Sequence, residues 1–168
     1  MRAIDDITSL ILRESIAIHR AVGPGLFEHA YELILADALL EAGLTVERQV
    51  PVPIRYRERT IADGYRIDLL VEGQVVVEIK SVEKLAPIYT QQVLTYLRFG
   101  GYRVGMILNF SAPTMVDGVK RVVNGFTDEV PVRVASVRGA LAPEGEHRRT
   151  KAPILVISRA REPIDSEQ

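Results

Sequence analysis

The sequence predicts an α/β domain with the element order ααβββαβ. Three observations carry that expectation. Two segments with helical periodicity come first, three segments with a period of two follow, and a third helical segment then leads into a nearly continuous apolar strand. The 168 residues suit one compact domain with a short extension, and 47% hydrophobic content supplies a sizeable core. The expected boundaries are 1–126 for the domain and 127–168 for the extension.

The first helix rests on Ile4, Ile7, Ile11, Ile18 and Val22, near helical spacing, with Asp5 and Asp6 in the opening turn, where the helix dipole favours anions. Gly23-Pro24-Gly25 ends it. In the second helix Phe27, Tyr31, Ile34, Leu35, Ala38, Leu39 and Ala42 form one apolar stripe, and Gly43 is the stop. From Thr45 the period changes to two: Val46, Val50, Val52, Ile54 and Tyr56 alternate with polar residues or proline. Pro51 and Pro53 place that strand at a sheet edge. After a polar turn near Glu58-Arg59, Tyr65, Ile67, Leu69 and Val71 make one face of the next strand and Arg66, Asp68 and Leu70 the other. Glu72-Gly73 is a tight turn into the third strand, with Val75, Val77 and Ile79 on one face and Val76, Glu78 and Lys80 on the other. Pro87 to Phe99 is the third helix, read from the i,i+4 pairs Val93 with Leu97 and Gln92 with Tyr96, and Gly100-Gly101 stops it. Tyr102 to Phe110 is a strand covered on both faces. Past Asn124-Gly125 the pattern weakens. Residues 130–137 and 154–157 are short strand candidates, separated at 142–152 by a loop or disordered stretch rich in Pro, Gly and charge.

Composition narrows the function classes. A net charge of -1 gives no global attraction to nucleic acid, so phosphate binding must come from local clusters of Lys and Arg. The absence of cysteine excludes disulfides and thiolate-metal sites, and the N-terminus lacks the basic start and apolar run of a signal peptide. A reducing cytoplasm is the expected location. No apolar stretch approaches the roughly 20 residues that a membrane span needs, so no membrane partner is expected. The sequence leaves a homodimer open. His19, His29 and His147 have no metal-ligand spacing, and there is neither a Gly-x-Ser-x-Gly elbow nor a phosphate loop.

The chemistry concentrates at Asp68 and Glu78-Ile79-Lys80. Gly73 lies midway between the two acids, so in a hairpin the carboxylates stand side by side and repel unless a cation sits between them. Magnesium prefers oxygen ligands and keeps several waters, so Asp68, Glu78 and the backbone carbonyl of Ile79 form a sufficient protein ligand set. Lys80, one pleat further on the same face, can address the attacking water or a phosphate oxygen. Gln92 and Tyr96 are placed to orient Lys80 or touch the nucleic-acid backbone, and Glu28 to reach the metal through water. Each also has a plainer reading: Glu78 with Lys80 as a surface ion pair, Glu28 as a carboxylate satisfying the helix dipole, and Gln92 with Tyr96 as an exposed pair.

Gly25-Leu26-Phe27-Glu28-His29-Ala30-Tyr31 matches the signature of the GxxExxY proteins, a family of the PD-(D/E)XK (restriction-endonuclease-like) nuclease superfamily. The resemblance continues through Glu47-Arg48-Gln49-Val50-Pro51, residues 65–71, Val77-Glu78-Ile79-Lys80, residues 92–97 and Leu108-Asn109-Phe110, about three quarters of the chain. It implies a restriction-endonuclease-like core, a mixed four-stranded sheet flanked by helices. It also implies that Asp68 and Glu78 are metal-binding acids, Lys80 the catalytic lysine, Glu28 the acid of the first core helix, and Gln92 and Tyr96 the Gln-x-x-x-Tyr motif of the exonuclease-like branch. Ile67 stands where the superfamily name has proline.

The expected function is phosphodiester hydrolysis, in DNA, with magnesium or manganese as cofactor. Arg55, Arg57, Arg59, Arg66, Lys84, Lys120 and Arg121 are the candidate phosphate contacts. The alternative is a catalytically inactive module that binds nucleic acid or a protein on the same fold.

Overall fold

The computed structural model describes residues 2–125. The expectations for the extension, at 130–137, 142–152 and 154–157, lie outside the described residues. Helix α1 (Ile4–Val22) and helix α2 (Glu28–Glu41) come first, then β1 (Val46–Tyr56), β2 (Arg59–Val71) and β3 (Val75–Lys80). Helix α3 (Pro87–Gly100), β4 (Val104–Asn109), the one-turn helix α4 (Met115–Gly118) and β5 (Val119–Val123) complete the order. The fold is the α/β class expected, with flanking helices on a mixed sheet. The strands lie in the order β1-β2-β3-β4-β5, antiparallel except for the β3–β4 pair, which the α3 crossover makes parallel.

Strand β5 extends the sheet beyond the four strands expected. Its cue was short. Thr114 caps the turn before it, accepting from the Asp117 N–H at 3.3 Å and donating to Asp117 Oδ2 at 2.7 Å. The few apolar residues that follow are too few to show a period.

Alternation along the inner strands divides the core in two. Val75, Val77, Ile79, Met106 and Leu108 face α1 and α2, where Ile7, Ile11, Tyr31, Leu35 and Leu39 are fully buried. Val76 and Ile107 face α3, against Val93, Tyr96 and Leu97. Strand β4 is buried throughout, as a strand covered on both faces should be. Strand β1 is an edge, where Pro51 and Pro53 are tolerated because no outer strand needs their missing N–H.

Two expectations are corrected. Tyr65, Ile67, Leu69 and Val71 do not form one face. Leu69 and Val71 pack with α1 and α2, whereas Ile67 joins the α3 cluster and the Tyr65 ring lies 5.5 Å from that of Tyr96 on α3. The hairpin changes face at Asp68. Opposite it, Gln49 falls between the pairs Arg48–Leu69 and Val50–Ile67 and has φ 53°, a left-handed conformation that breaks the alternation. As a result the neighbours Arg48 and Gln49 both reach Glu32 of α2, at 2.9 and 2.7 Å. The second correction is Phe27. Instead of joining the apolar stripe of α2, it is the residue before the first turn and is 90% exposed.

Candidate active site

The site forms where β2 and β3 part. They pair at Val71–Val75, Leu70–Val76 and Leu69–Val77, around a turn in which Glu72 (φ 54°) and Gly73 (φ 62°) are both left-handed. The next positions in that register are Asp68 and Glu78, as the midway glycine predicted. There the backbone ladder stops, and the Asp68 side chain continues it: Oδ2 accepts from the Ile79 N–H at 2.8 Å.

Glu78 is only 2% exposed. Its Oε1 accepts from the Lys80 ammonium at 2.6 Å, while Oε2 is buried with no hydrogen-bond partner. Burial, and then the charge of Asp68, push this carboxyl up to about 7. Asp68 is held above the usual carboxylate range by burial, against the opposing pull of the Ile79 N–H and Lys80. Burial draws the Lys80 ammonium down, but its hydrogen bond to Glu78 and the charges of Glu78, Glu28 and Asp68 outweigh this, and the net direction is up. The amine also lies 5.2 Å from the centre of the Tyr89 ring on α3. With 12% of the Lys80 side chain exposed and 3% of Glu78, this is no solvated surface pair.

Glu28 opens α2 at the rim. Its Oε1 accepts from the Ser81 N–H at 3.2 Å, and its charge acts on Asp68, Glu78 and Lys80. Among the described residues no three His, Asp or Glu side chains lie close enough to share one ion, so Glu28 borders the acid pair without joining it. Gln92 and Tyr96 are bonded to each other, Nε2 to hydroxyl at 2.6 Å. Tyr96 is 2% exposed, so this is not the exposed pair of the plainer reading. Burial and the Glu78 charge push the Tyr96 hydroxyl well above its usual value.

The basic residues are spread more widely. Arg55, Arg57 and Arg59 are exposed at the tip of the β1–β2 hairpin, with the Arg57 guanidinium 5.2 Å from the centre of the Tyr56 ring. Arg66 donates to Gln49 O at 3.0 Å and stays with the irregular stretch of β1. Lys84 is exposed in the loop after β3. Lys120 and Arg121 lie on β5, opposite Ile107 and Met106, with β4 between them and β3. Arg121 is instead bonded to Asp5 of α1 at 2.8 Å. His19 Nε2 lies 3.0 Å from Ala112 O, and His29 Nδ1 lies 3.5 Å from Glu32.

Sequence reasoning gave no role to four neighbours. Tyr89 holds the Lys80 amine, and Ser81 bridges to Glu28. Asn109 is 3% exposed and binds the segment after Lys80, its Oδ1 accepting from Val82 N and its Nδ2 donating to Val82 O. Buried Glu32 anchors Arg48 and Gln49. For Asn109 a signal existed, since an amide closing a fully apolar strand needs partners.

A mixed sheet between helical layers, with two acids and a lysine where two central strands part, defines the restriction-endonuclease-like class. Residues 5–122 match the family profile of the PD-(D/E)XK nuclease superfamily, and the chain belongs to that superfamily. Comparisons with curated proteins and with solved structures gave no match. Among the described residues no helix is long and apolar enough to cross a membrane.

Proposed function

We propose that the protein is a divalent-metal-dependent nuclease that hydrolyses phosphodiester bonds in DNA, with Asp68, Glu78 and Lys80 as its centre. The observation that carries this reading is the orphaned Glu78 Oε2, an anionic oxygen buried beside a second carboxylate. A buried carboxylate oxygen without a donor is costly, and a hard cation both satisfies that oxygen and removes the repulsion. The donor set, two carboxylates and a backbone carbonyl, fits magnesium or manganese.

Asp68 and Glu78 would hold the ion. Ile79 fits the third place, because its N–H faces Asp68 and a strand residue projects N–H and C=O to the same side. When bound, such an ion neutralises phosphoryl oxygens and lowers the pKa of a water. Lys80 stays an ammonium at neutral pH, since its pKa is raised, so it acts as a donor to developing negative charge and not as a base. Tyr89 and Glu78 fix its direction. Glu28 restrains the segment after Lys80 through Ser81, and Gln92 with Tyr96 forms the α3 wall. Arg55, Arg57, Arg59 and Lys84, all exposed, are the phosphate contacts, with Arg66 at the irregular stretch of β1.

The test is cleavage of single- and double-stranded DNA with and without magnesium. Wild type should cleave only with metal, and Asp68→Ala and Lys80→Ala should each lose about 10²- to 10³-fold in kcat. Equal activity in all three proteins would contradict the assignment, and binding without cleavage by wild type would mark a non-catalytic module.

A further inference from the structure

Phe27 is 90% exposed, yet the chain around it is firmly tied. The Tyr31 hydroxyl donates to Gly23 O at 2.6 Å and accepts from Leu26 N at 3.2 Å, and the Tyr31 ring stacks on Phe110 at 4.3 Å. Ser81 Oγ donates to Leu26 O at 2.8 Å, and Ser81 N–H holds Glu28. Gly25, at φ 115°, takes a conformation that side chains rarely adopt. A loop fastened from three sides thus presents a large aromatic ring to water.

That ring is one wall of an open cavity of about 530 Å³, whose other walls include Glu28, His29, Ser81 and Ser111. Ser81 directly follows Lys80, and the charge of Glu28, another wall, acts on Asp68, Glu78 and Lys80, which themselves lie outside the lining. That lining is partly polar, with Ser81 Oγ 3.0 Å from Ser111 Oγ. An exposed aromatic ring and two hydroxyls lining one cavity suit a nucleotide, the base on the ring and the sugar or phosphate on the hydroxyls. A base inside an intact duplex is already stacked on both sides and cannot use an outside ring.

We infer that Phe27 and the cavity behind it form a stacking site for one unpaired nucleobase beside the scissile phosphate, so that the enzyme takes single strands, frayed ends or flaps in preference to intact duplex. This rests on the nuclease reading above. The base site explains why the loop before Glu28 is tied by hydrogen bonds while its largest side chain is left in solvent. Stacking on an aromatic ring tolerates any base, so the site selects strand state and not sequence.

The experiment compares wild type, Phe27→Ala, Phe27→Leu and Phe27→Tyr on single-stranded and duplex DNA of one sequence. Phe27→Ala should raise KM for the single strand roughly 5- to 150-fold, with kcat changed far less. Phe27→Tyr should restore the wild-type value and Phe27→Leu should not. Unchanged KM in Phe27→Ala, or equal rescue by leucine and tyrosine, overturns the inference. Because Phe27 is exposed, its variants should unfold at the wild-type temperature. Should wild type cleave nothing, the nuclease reading falls, and fluorescence of a single strand carrying 2-aminopurine still decides. Quenching by wild type that Phe27→Ala lacks supports the base site, and its absence overturns it.

Discussion

Glu78 decides how the site responds to pH. Its ordinary value is 4.5, and burial with the Asp68 charge raises it to about 7 in the folded protein. As pH rises from 4.5, the unfolded chain releases this proton first, so the native state binds more protons across that window. Stability from this group is therefore intact below about 4.5, falls as pH rises, and is lost above about 7. Lys80 is also raised, and its contribution is lost only far above this window. In urea, the metal-free protein should lose more stability between pH 5 and pH 8 than Glu78→Gln does; equal losses would mean that Glu78 does not titrate there. The same proton must leave before an ion binds. Below pH 7, metal affinity should accordingly weaken about tenfold per pH unit, with the proton released on binding visible as a buffer-dependent heat.

The β1–β2 hairpin sets the direction of Asp68. Its face reversal at Gln49 and Asp68 lets Asp68 reach the Ile79 N–H while Ile67 packs toward α3. That reversal was invisible in the sequence, where Tyr65, Ile67, Leu69 and Val71 alternate without interruption; the cause lies in a left-handed residue on the partner strand. The turn at Glu72-Gly73, and with it the pairing of the two acids, was legible because a period of two and a central glycine fix the register. The helices were legible too, from their stripes and glycine stops, but Phe27 was not. An aromatic at the right spacing reads as core unless the helix start is known to the residue. Asn109, Tyr89 and Ser81 escaped because their partners are distant in sequence. Arg57 at the hairpin tip has φ 55°, which costs a non-glycine residue about 1–2 kcal/mol. Arg57→Gly should therefore stabilise the protein by about 1 kcal/mol in thermal unfolding while weakening DNA binding. A loss of stability would show that the Arg57–Tyr56 contact outweighs the strain.

At the scale of the molecule, charge is local. The net charge is -1, but the hairpin tip carries Arg55, Arg57 and Arg59 in exposed positions while Arg121 is engaged by Asp5. Affinity for DNA should fall with salt, and each phosphate left without its cationic side chain should reduce the slope of log K against log salt by about 0.9 on duplex and about 0.7 on single strands. Replacing Arg55, Arg57 and Arg59 together by alanine should lower the slope by about two units or more in fluorescence anisotropy. Replacing Arg121 should leave it unchanged. A uniform effect of all four would place the nucleic acid elsewhere on the surface.

The most direct test of the centre is titration of the metal-free protein with manganese by calorimetry at pH 8, comparing wild type with Asp68→Ala and Glu78→Gln. One site in wild type, absent or weakened at least a hundredfold in both variants, is the expected result. Identical isotherms for the three proteins would show that these carboxylates hold no ion.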